Sequence, residues 1–470
     1  MKKTKILATY GPAIAHAATI RRLVSAGVNA FRVNCSHGAH DDFVQAVTTI
    51  HQGIRRSTYP IGLLFDISGP KLRLDHFQGE MKIIKGREIT LTAEQSDISQ
   101  SLVGVNHPGI ITSLKKGEVV YIDDGKYAFD VVSSNSRKAV LRAHNSGTLL
   151  PGKGINLPQS DIDIPTITSK DRKDIKSAVQ LDADYIALSF VRSGDDVLEA
   201  KKIIHHLGAK QKVIAKLEKR EAIENLEEIM LVSDGVMVAR GDLGVELPPA
   251  EVPILQKRII IALANLHHKP VIVATQMLES MRFSPRPTRA EVNDVASAVF
   301  DFADTVMLSA GTATGQYPFE TVDTMRAVIE STEPACAPPT VLQREQMLVP
   351  PVPFAIAEAV SRANVHCRTE VIFAYTTSGF TAELISNLFP PQPVIALAPD
   401  PRIVRRLSLF RSVYPIHIKQ PGSFDDMMKI ADRLCRKYHL ANPGRKVIIT
   451  GGVPFGSNAP TNFMMFHEVR

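Results

Sequence analysis

The feature that most constrains the fold of this chain is a regular alternation of short apolar segments with helical segments. Eight apolar segments in the first 330 residues have the length and composition of buried parallel strands, and a helical segment follows each of them. The predicted strands are 4–9, 28–33, 61–66, 185–190, 213–215, 235–239, 271–274 and 305–308. Eight such units are typical of a (β/α)8 TIM barrel, so we predict an α/β fold built on that barrel.

Two other regions depart from this alternation. Between residues 71 and 164 the segments are short and separated by turn signals, which predicts an inserted all-β domain. Residues 334–353 are rich in proline and are interpreted as a linker. Strand and helix patterns resume in 354–470 and predict a small C-terminal α/β domain. The barrel would then comprise residues 1–70 and 165–333.

Composition excludes several classes of function. Hydrophobic residues make up 44% and charged residues 22%, as in ordinary globular proteins. The net charge of +7 fits an anionic small molecule, and the absence of an aromatic-interleaved basic patch argues against nucleic acid. No apolar run approaches the ~18 residues of a membrane span, so no membrane partner is expected. Four scattered cysteines without a CxxC pair favour a reducing cytoplasm over a zinc site.

The stretch 236–246 carries the strongest sign of chemistry. An apolar strand stops at Arg240-Gly241-Asp242, and Gly241 and Gly244 are expected to allow a tight turn there. Asp242 is thereby placed at the carboxyl end of a strand, where α/β barrels keep their active sites. On the preceding strand, Lys216 and Glu218 have the period-two spacing that puts both on one face. Such a group could hold a divalent metal and an anion, and the alternative is a salt-bridged barrel rim.

Other predicted strands also end in reactive or anion-binding side chains. Arg32, Arg73 and Lys216 would make a positive barrel mouth suited to phosphate. Thr275 and Ser309 end the last two strands and could orient a carboxylate or relay a proton through water. For single residues the simpler interpretations stay open: a capping role for rim hydroxyls, surface positions for His37 and His40, packing for Cys35, and a hairpin turn for 123–125.

Several motifs together resemble the pyruvate kinase family, and the resemblance spans essentially the whole chain. The motifs that carry it are Thr4-Lys5-Ile6 with Gly11-Pro12, Asn34-x-Ser36-His37-Gly38, Gly69-Pro70-x-x-Arg73, Lys153-Gly154-x-Asn156-Leu157-Pro158, Ala239-Arg240-Gly241-Asp242-Leu243-Gly244, Ala274-Thr275-Gln276-Met277-Leu278-Glu279-Ser280-Met281 and Arg286-Pro287-Thr288-Arg289-Ala290-Glu291.

The resemblance implies transfer of a phosphoryl group from phosphoenolpyruvate to ADP, the last step of glycolysis. It implies that Glu218 and Asp242 bind Mg²⁺ or Mn²⁺, and that Arg32 and Lys216 hold the transferring phosphoryl. Lys216 would also stabilise the enolate. The substrate carboxylate would lie at Thr275 and the amides of Gly241 and Asp242, with Thr275 and Ser309 relaying the proton that converts the enolate to pyruvate.

The resemblance also implies further binding positions. Those that match nucleotide contacts are Asn34, His37, Arg73 and Lys153. The inserted domain would be a β-barrel lid over the barrel mouth. In the C-terminal domain, 376–381 resembles an effector loop, in which Thr376, Ser378 and Thr381 would hold the phosphate of an allosteric ligand. A plain strand-to-helix turn is the alternative there. Family likeness further implies a cytoplasmic homotetramer.

One departure from the family pattern concerns a monovalent cation. Many members bind K⁺ at positions that match Asn34, Ser36, Asp66 and the carbonyl of Ile67, and carry glutamate and threonine where this chain has Lys71 and Leu74. The ammonium of Lys71 can supply the charge that the ion would bring. We therefore expect activity without K⁺, as in the K⁺-independent branch that the chain resembles here.

A second departure is Gly311, which stands where the family usually has glutamate after Ser309. We expect retained activity, because the metal, lysine and threonine positions are intact, and we expect Gly311→Glu to leave turnover unchanged or raise it. Two alternatives stay open: a weakened or inactive homologue that binds phosphometabolites and regulates another process, and a metal-dependent pyruvate lyase or aldolase. The lyase needs no nucleotide lid, so the predicted inserted domain at 71–164 and Lys153 argue against it.

Overall fold

The computed structural model describes residues 1–36, 38–160, 162, 164–266, 268–337, 349–455 and 459–470, without the side chains of 261–266. The predicted nucleotide residue His37 and most of the predicted linker lie outside the described residues. The chain begins with three barrel strands and the two helices between them. These elements are β1 (Lys5–Thr9), α1 (Ala17–Ala26), β2 (Ala30–Asn34), α2 (His40–Ile54) and β3 (Gly62–Ile67).

An inserted sheet domain follows β3. Its elements are β4 (Met81–Ile83), β5 (Glu88–Thr92), β6 (Leu102–Gly104), α3 (Gly109–Ser113), β7 (Val119–Ile122), β8 (Tyr127–Ser134), β9 (Lys138–Ala143), β10 (Gly147–Leu149) and β11 (Ile155–Asn156). Six of the strands form one sheet in the order β11-β7-β8-β9-β5-β6, and β10 pairs with β4. The predicted turn at 123–125 joins β7 to β8, which pair as antiparallel neighbours, so the hairpin interpretation is confirmed. The short helix α3 was not predicted.

The chain then returns to the barrel and completes it. The elements are α4 (Ser169–Gln180), β12 (Tyr185–Leu188), α5 (Gly194–His206), β13 (Lys212–Leu217), α6 (Arg220–Glu224), α7 (Leu226–Val232), β14 (Gly235–Ala239), α8 (Arg240–Glu246), α9 (Val252–Leu266), β15 (Val271–Ala274), α10 (Arg289–Phe300), β16 (Thr305–Leu308), α11 (Ala310–Ala313) and α12 (Pro318–Thr332). The barrel closes in the order β1-β16-β15-β14-β13-β12-β3-β2, with parallel neighbours throughout, which confirms the predicted (β/α)8 fold.

Burial explains why the barrel strands could be recognised. Strands β1, β3, β12, β14, β15 and β16 are buried at every position, because helices cover one face and the barrel interior the other. Such strands are therefore mostly apolar, with Lys5, Asp66 and Thr305 among the exceptions. A capping box begins α10: Thr288 Oγ1 accepts from the Glu291 amide at 3.3 Å, and the Glu291 carboxylate accepts from the Thr288 amide at 2.8 Å.

The last domain is a five-stranded α/β unit. Its elements are α13 (Pro351–His366), β17 (Ile372–Tyr375), α14 (Phe380–Ser386), β18 (Val394–Ala398), α15 (Pro401–Arg406), β19 (Val413–His417), α16 (Phe424–Tyr438), β20 (Lys446–Gly451) and β21 (Phe463–Glu468). The strand order is β19-β18-β17-β20-β21, and β21 runs antiparallel to β20. Strand β21 was not predicted, although its first four residues, 463–466, are apolar; most of its residues are half-exposed.

The C-terminal domain closes the amino-terminal end of the barrel. Leu409, on a 3-10 turn after α15, is fully buried in a cluster with residues of the barrel interior. The Thr305 hydroxyl donates to the Leu409 carbonyl at 2.8 Å, and the Arg411 amide donates to the Asp304 carboxylate at 2.9 Å. Arg405 Nε lies 2.9 Å from an oxygen of buried Asp184. The carboxyl ends of the barrel strands, where the predicted site residues lie, face the other way.

Candidate active site

Asp66 is the centre of the charged group at the barrel mouth. It lies in β3, is 2% exposed, and accepts a hydrogen bond from Arg32 Nε at 2.7 Å. Its other oxygen lies 3.2 Å from Lys216 Nζ. Burial alone would raise the pKa of Asp66, but Lys216 and Arg32 hold that pKa below its usual value. Because one carboxylate orients both cations, the arginine and the lysine share one side of the mouth.

Lys216 is held by three oxygen atoms. Its Nζ lies 2.7 Å from Glu218, 3.2 Å from Asp66 and 2.8 Å from the hydroxyl of Ser189. Burial alone would lower the pKa of Lys216, but the two carboxylates raise it above its usual value. Lys216 therefore stays protonated and can offset negative charge, but it is unsuited to act as a base.

Glu218 and Asp242 are the carboxylates that could hold a divalent metal. Glu218 follows β13 and accepts from the Phe190 amide at 2.9 Å, while Asp242 lies in the first turn of α8. Burial and then the negative charge of Glu218 raise the pKa of Asp242 to about 7. Two crowded, poorly hydrated carboxylates fit a hard cation that takes few protein ligands and completes its shell with water and substrate oxygens.

A larger all-protein metal cage is not found in the described part of the chain. No group of three or more His, Cys, Asp or Glu residues there is placed to hold a metal ion. The residues therefore fit a Mg²⁺ or Mn²⁺ site of the two-carboxylate kind, which shares the ion with a substrate.

Thr275 ends β15 in an unusual backbone conformation. Its φ is +68° and that of Gln276 is +58°, both in the left-handed region that a β-branched residue rarely occupies. The carbonyl of Thr275 accepts from Arg240 at 2.8 Å, and Arg240 is in turn paired with Asp294. The Thr275 hydroxyl accepts from the Gly241 amide at 2.7 Å and donates to its own neighbour's carbonyl at 2.6 Å. These contacts aim Thr275 at the start of α8.

The expected tight turn at Gly241 and Gly244 is wrong. Both glycines lie inside α8, and neither has a left-handed φ. A Cβ at Gly241 would meet Thr275 Oγ1 at 3.4 Å, an ordinary contact distance. The strand stops at residue 239 because the chain enters a helix directly, and that helix presents the amides of its first turn to the barrel mouth.

One cavity of about 360 Å³ collects the predicted catalytic and metal residues. Those in its lining are Arg32, Asn34, Ser36, Asp66, Lys71, Lys216, Glu218, Asp242, Thr275 and Ser309. Sequence reasoning missed Ser189, which also lines the cavity and touches Lys216, and Thr9, whose hydroxyl accepts from Arg32 at 3.2 Å. The available signal was a polar residue inside the fourth predicted strand, 185–190, because the observed strand β12 ends at Leu188 and Ser189 follows it directly.

A second cavity, of about 280 Å³, lies between the inserted domain and the barrel. Its lining includes Arg73 and Lys153, two of the predicted nucleotide residues, and it shares Lys71, Phe190 and Asp242 with the first cavity. Arg73 donates to the carbonyl of Gly152 at 2.7 Å, and Lys153 Nζ lies 2.7 Å from Asp123. Asn34, another of the predicted nucleotide residues, lines the barrel cavity and not this second one.

The positions that resemble a K⁺ site are occupied by contacts within the protein. Lys71 Nζ donates to the Ser36 hydroxyl at 2.8 Å, and the carbonyl of Ile67 accepts from Ser189 at 2.7 Å. The side-chain oxygen of Asn34 accepts from the Ser36 amide at 3.1 Å. Burial, then Arg73 and Lys216, lower the pKa of Lys71. The ammonium of Lys71 therefore stands directly beside one of the oxygens expected to bind the ion.

Gly311 lies behind the cavity wall and close to α12. It is buried, and a Cβ added there would lie 3.0 Å from Cγ2 of Thr321 on α12. The neighbours Ala310, Ala313 and Thr314 line the barrel cavity, whereas Gly311 is outside its lining. A side chain at 311 would therefore start toward Thr321 on α12.

The predicted effector loop borders a cavity of about 520 Å³ in the C-terminal domain, which Thr376, Ser378 and Thr381 help to line. Thr376 Oγ1 accepts from the Gly379 amide at 2.9 Å, and Thr381 Oγ1 lies 2.6 Å from Thr461 Oγ1. The loop is thus a strand-to-helix turn, held by the hydrogen bond from Gly379 to Thr376, that also opens onto a cavity.

Comparison with known proteins identifies the family. Residues 1–322 match the model described as pyruvate kinase, barrel domain, and residues 354–467 match pyruvate kinase, alpha/beta domain. The chain belongs to the pyruvate kinase family. It is 37% identical to pyruvate kinase of Sporosarcina psychrophila, over 100% of this chain and 81% of that one. It is 39% identical to pyruvate kinase of Methylorubrum extorquens, over 98% and 96% of the two chains.

A solved structure extends the family likeness to three dimensions. A pyruvate kinase from Cryptosporidium parvum superposes with a TM-score of 0.93 at 32% identity, covering 100% of this chain and 96% of that one. Family membership makes this protein a kinase, that is, a phosphotransferase. These likenesses do not favour the lyase, aldolase or inactive-homologue alternatives. No helix in the described part of the chain is long and apolar enough to cross a membrane.

Proposed function

We propose that this protein transfers the phosphoryl group of phosphoenolpyruvate to ADP and releases pyruvate and ATP, with Mg²⁺ and without K⁺. The observation that carries the proposal is the barrel cavity in which Arg32, Lys216, Glu218 and Asp242 face one another, beside a second cavity with Arg73 and Lys153. Phosphoryl transfer depends on positioning and charge neutralisation more than on covalent chemistry. This pair of cavities supplies both.

Arg32 and Lys216 bind the transferring phosphoryl group in this proposal. Asp66 orients both cations, and the hydroxyls of Thr9 and Ser189 hold their other donors in place. Lys216 also stabilises the enolate, because it stays protonated between Asp66 and Glu218. Removing the Lys216 charge would leave the developing negative charge unbalanced in a site that excludes water.

Glu218 and Asp242 hold the divalent cation. Such a cation would offset charge on the phosphoryl and enolate oxygens when bound. The substrate carboxylate lies at Thr275 and the amides of Gly241 and Asp242, where it replaces Thr275 Oγ1 as the acceptor for the Gly241 amide. Thr275 and Ser309, which both line the cavity, relay the proton to the enolate through water.

Asn34, His37, Arg73 and Lys153 contact the nucleotide, and the inserted domain is the lid that covers it. We support this assignment for Arg73 and Lys153 by their place in the cavity between the lid and the barrel. The division into barrel (1–70, 165–333), lid (71–164), linker (334–353) and C-terminal domain (354–470) is likewise a proposal. The end of β3 at Ile67 and the start of α4 at Ser169 support it.

K⁺ independence rests on Lys71. Its ammonium touches Ser36 at 2.8 Å, and Arg32 and Lys216 already neutralise Asp66. A fixed cation at this position supplies the charge that members with glutamate take from solution. Effector binding at 376–381 and assembly as a homotetramer are further proposals from the family likeness. Four unpaired cysteines support a place in the cytoplasm.

The deciding experiment is a lactate-dehydrogenase-coupled assay with phosphoenolpyruvate, ADP and Mg²⁺, run with and without K⁺. We expect ADP-dependent pyruvate release in both buffers and none after chelation of the divalent metal. Lys216→Met should abolish turnover, while Lys202→Met, at an exposed position on α5, should leave it unchanged. Absence of ADP-dependent pyruvate would refute the function, and activity only with K⁺ would refute the K⁺ assignment.

A further inference from the structure

The lid touches the barrel at the far end of the helix that carries Asp242. Asn156, in lid strand β11, donates its side-chain amide to Glu246 Oε1 at 3.2 Å. The ammonium of Lys219, which follows β13, lies 2.8 Å from the same oxygen. Glu246 ends α8 and is 2% exposed. A buried carboxylate needs partners, and here one partner comes from the barrel and the other from the lid.

A second part of the lid lies beside the same helix. The β7–β8 turn holds Asp123, Asp124 and Gly125 in consecutive left-handed conformations, with φ of +60°, +54° and +82°. A Cβ on Gly125 would lie 3.4 Å from Cγ2 of Val245, so the turn lies beside α8 with room for about one methyl group between them. The Asn156 hydrogen bond and this turn therefore both lie at the last turn of a seven-residue helix.

The opposite end of that helix is part of the active site. Gly241 and Asp242 lie in its first turn, within two helical turns of Glu246. Asn156, Lys219 and Asp242 all line the cavity between lid and barrel. A short helix moves as one body, so a pull at Glu246 shifts the carboxylate of Asp242 and the first-turn amides.

We propose that Asn156, Glu246 and Lys219 form a latch that fastens the closed lid to α8 and thereby positions Asp242 for catalysis. The proposal rests on the proposed function and adds three positioning residues to it. When the lid opens, Glu246 loses the Asn156 amide and keeps Lys219. Closing the lid restores the hydrogen bond. The same movement brings Arg73 and Lys153 of the lid over the site.

The test exchanges the donor and the acceptor of the hydrogen bond between Asn156 and Glu246. Asn156→Asp places a second carboxylate against Glu246, so we expect kcat/KM for ADP to fall about tenfold or more. The double variant Asn156→Asp with Glu246→Gln restores both the hydrogen bond and the net charge, and should return kcat/KM to within about threefold of the original enzyme. The KM for phosphoenolpyruvate should rise in Asn156→Asp as well and return in the double variant, because the first-turn amides of α8 that hold the substrate carboxylate shift together with Asp242.

Lid closure can be followed without turnover. The chain has no tryptophan, so Tyr121→Trp introduces a single tryptophan, which can be excited selectively, on β7 opposite Asn156 in the sheet register. In that background, Asn156→Asp should increase acrylamide quenching of the tryptophan, and the added Glu246→Gln should reverse the increase. This readout answers whether the latch holds the lid even if the protein proves to catalyse another reaction.

Asn135→Asp is the matched control, because it makes the same chemical change in the lid turn between β8 and β9. The side-chain oxygen of Asn135 only accepts there, from two backbone amides at 2.9 Å, and aspartate can accept both. This variant should leave activity and quenching unchanged. The latch is refuted if Asn156→Asp leaves both readouts at the reference level, or if its defect persists in the double variant.

Discussion

At the scale of single residues, the charge of Lys71 decides the ion requirement. Lys71→Glu removes the ammonium beside Ser36 and adds a negative charge near Asp66. We expect activity in K⁺-free buffer to fall about tenfold or more, and added K⁺ to restore most of it. Steady-state rates across a K⁺ titration measure this. Lys71→Arg, which keeps the charge, should stay independent of K⁺, and a K⁺ requirement in that variant would contradict the explanation.

Ser189 is a second decisive residue, and no motif pointed to it. Its hydroxyl accepts from Lys216 and donates to the Ile67 carbonyl. Hydrogen bonds to charged groups contribute about 1.5–3 kcal/mol, so Ser189→Ala should lower kcat about 10- to 100-fold. Ser177→Ala, which removes a hydroxyl that contacts His40 on the barrel exterior, serves as the control and should retain kcat. Equal rates in the two variants would show that Lys216 does not need the hydroxyl.

Gly311 is a residue for which the structure changes the expectation. Because Thr321 stands 3.0 Å from an added Cβ, Gly311→Glu must displace a neighbour on α12 before it can influence the cavity. We now expect a lower melting temperature, by several degrees for a loss of about 1–3 kcal/mol. Adding Thr321→Ala should recover part of that loss. Calorimetry of the three proteins tests this, and an unchanged melting temperature in the single variant would contradict the packing argument.

At the scale of elements, local hydrogen bonds set where helices begin. The capping box of α10 joins Thr288 and Glu291, and the same carboxylate also accepts from the Ser280 amide at 2.7 Å. Thr288→Ala removes the cap and should lower the free energy of unfolding by about 1 kcal/mol, whereas Thr288→Ser keeps the hydroxyl and should stay within about 0.5 kcal/mol. Chemical denaturation of the two variants and the original protein measures these free energies of unfolding. Identical midpoints would mean that tertiary packing alone fixes this helix start.

At the scale of the whole molecule, the C-terminal domain and the barrel share a buried contact. Leu409 is fully buried in the barrel-interior cluster, so Leu409→Ala should lower stability by about 2–5 kcal/mol. Hydrogen exchange should rise at the amino-terminal ends of β1 and β16 in the barrel, because the shared contact is lost there. Leu384→Ala, in the core of the C-terminal domain itself, is the matched control and should raise exchange in that domain alone. If faster hydrogen exchange were confined to the C-terminal domain in both variants, the two domains would be energetically separate.

The fold was largely predictable from sequence, because parallel strands buried on both faces are continuous apolar runs. Strand β14 was predicted at its observed bounds for this reason. Strand β21 was missed: it pairs with one neighbour at the sheet edge, its residues are mostly half-exposed, and its apolar run of four residues is too short to distinguish a strand from other segments. The short helix α3 lies among turn signals, and five residues are too few for a helical period to be read.

The sequence by itself determined the barrel and the identity of the charged groups at its mouth, since strand periodicity places Lys216, Glu218 and Asp242 at neighbouring strand ends. Only the tertiary structure decided what lies between them. Ser189 reaches Lys216, Asn156 reaches Glu246 across the lid boundary, and a side chain at 311 would face α12. These contacts join residues far apart in the chain, and their distances follow from how the domains pack, which no local pattern encodes.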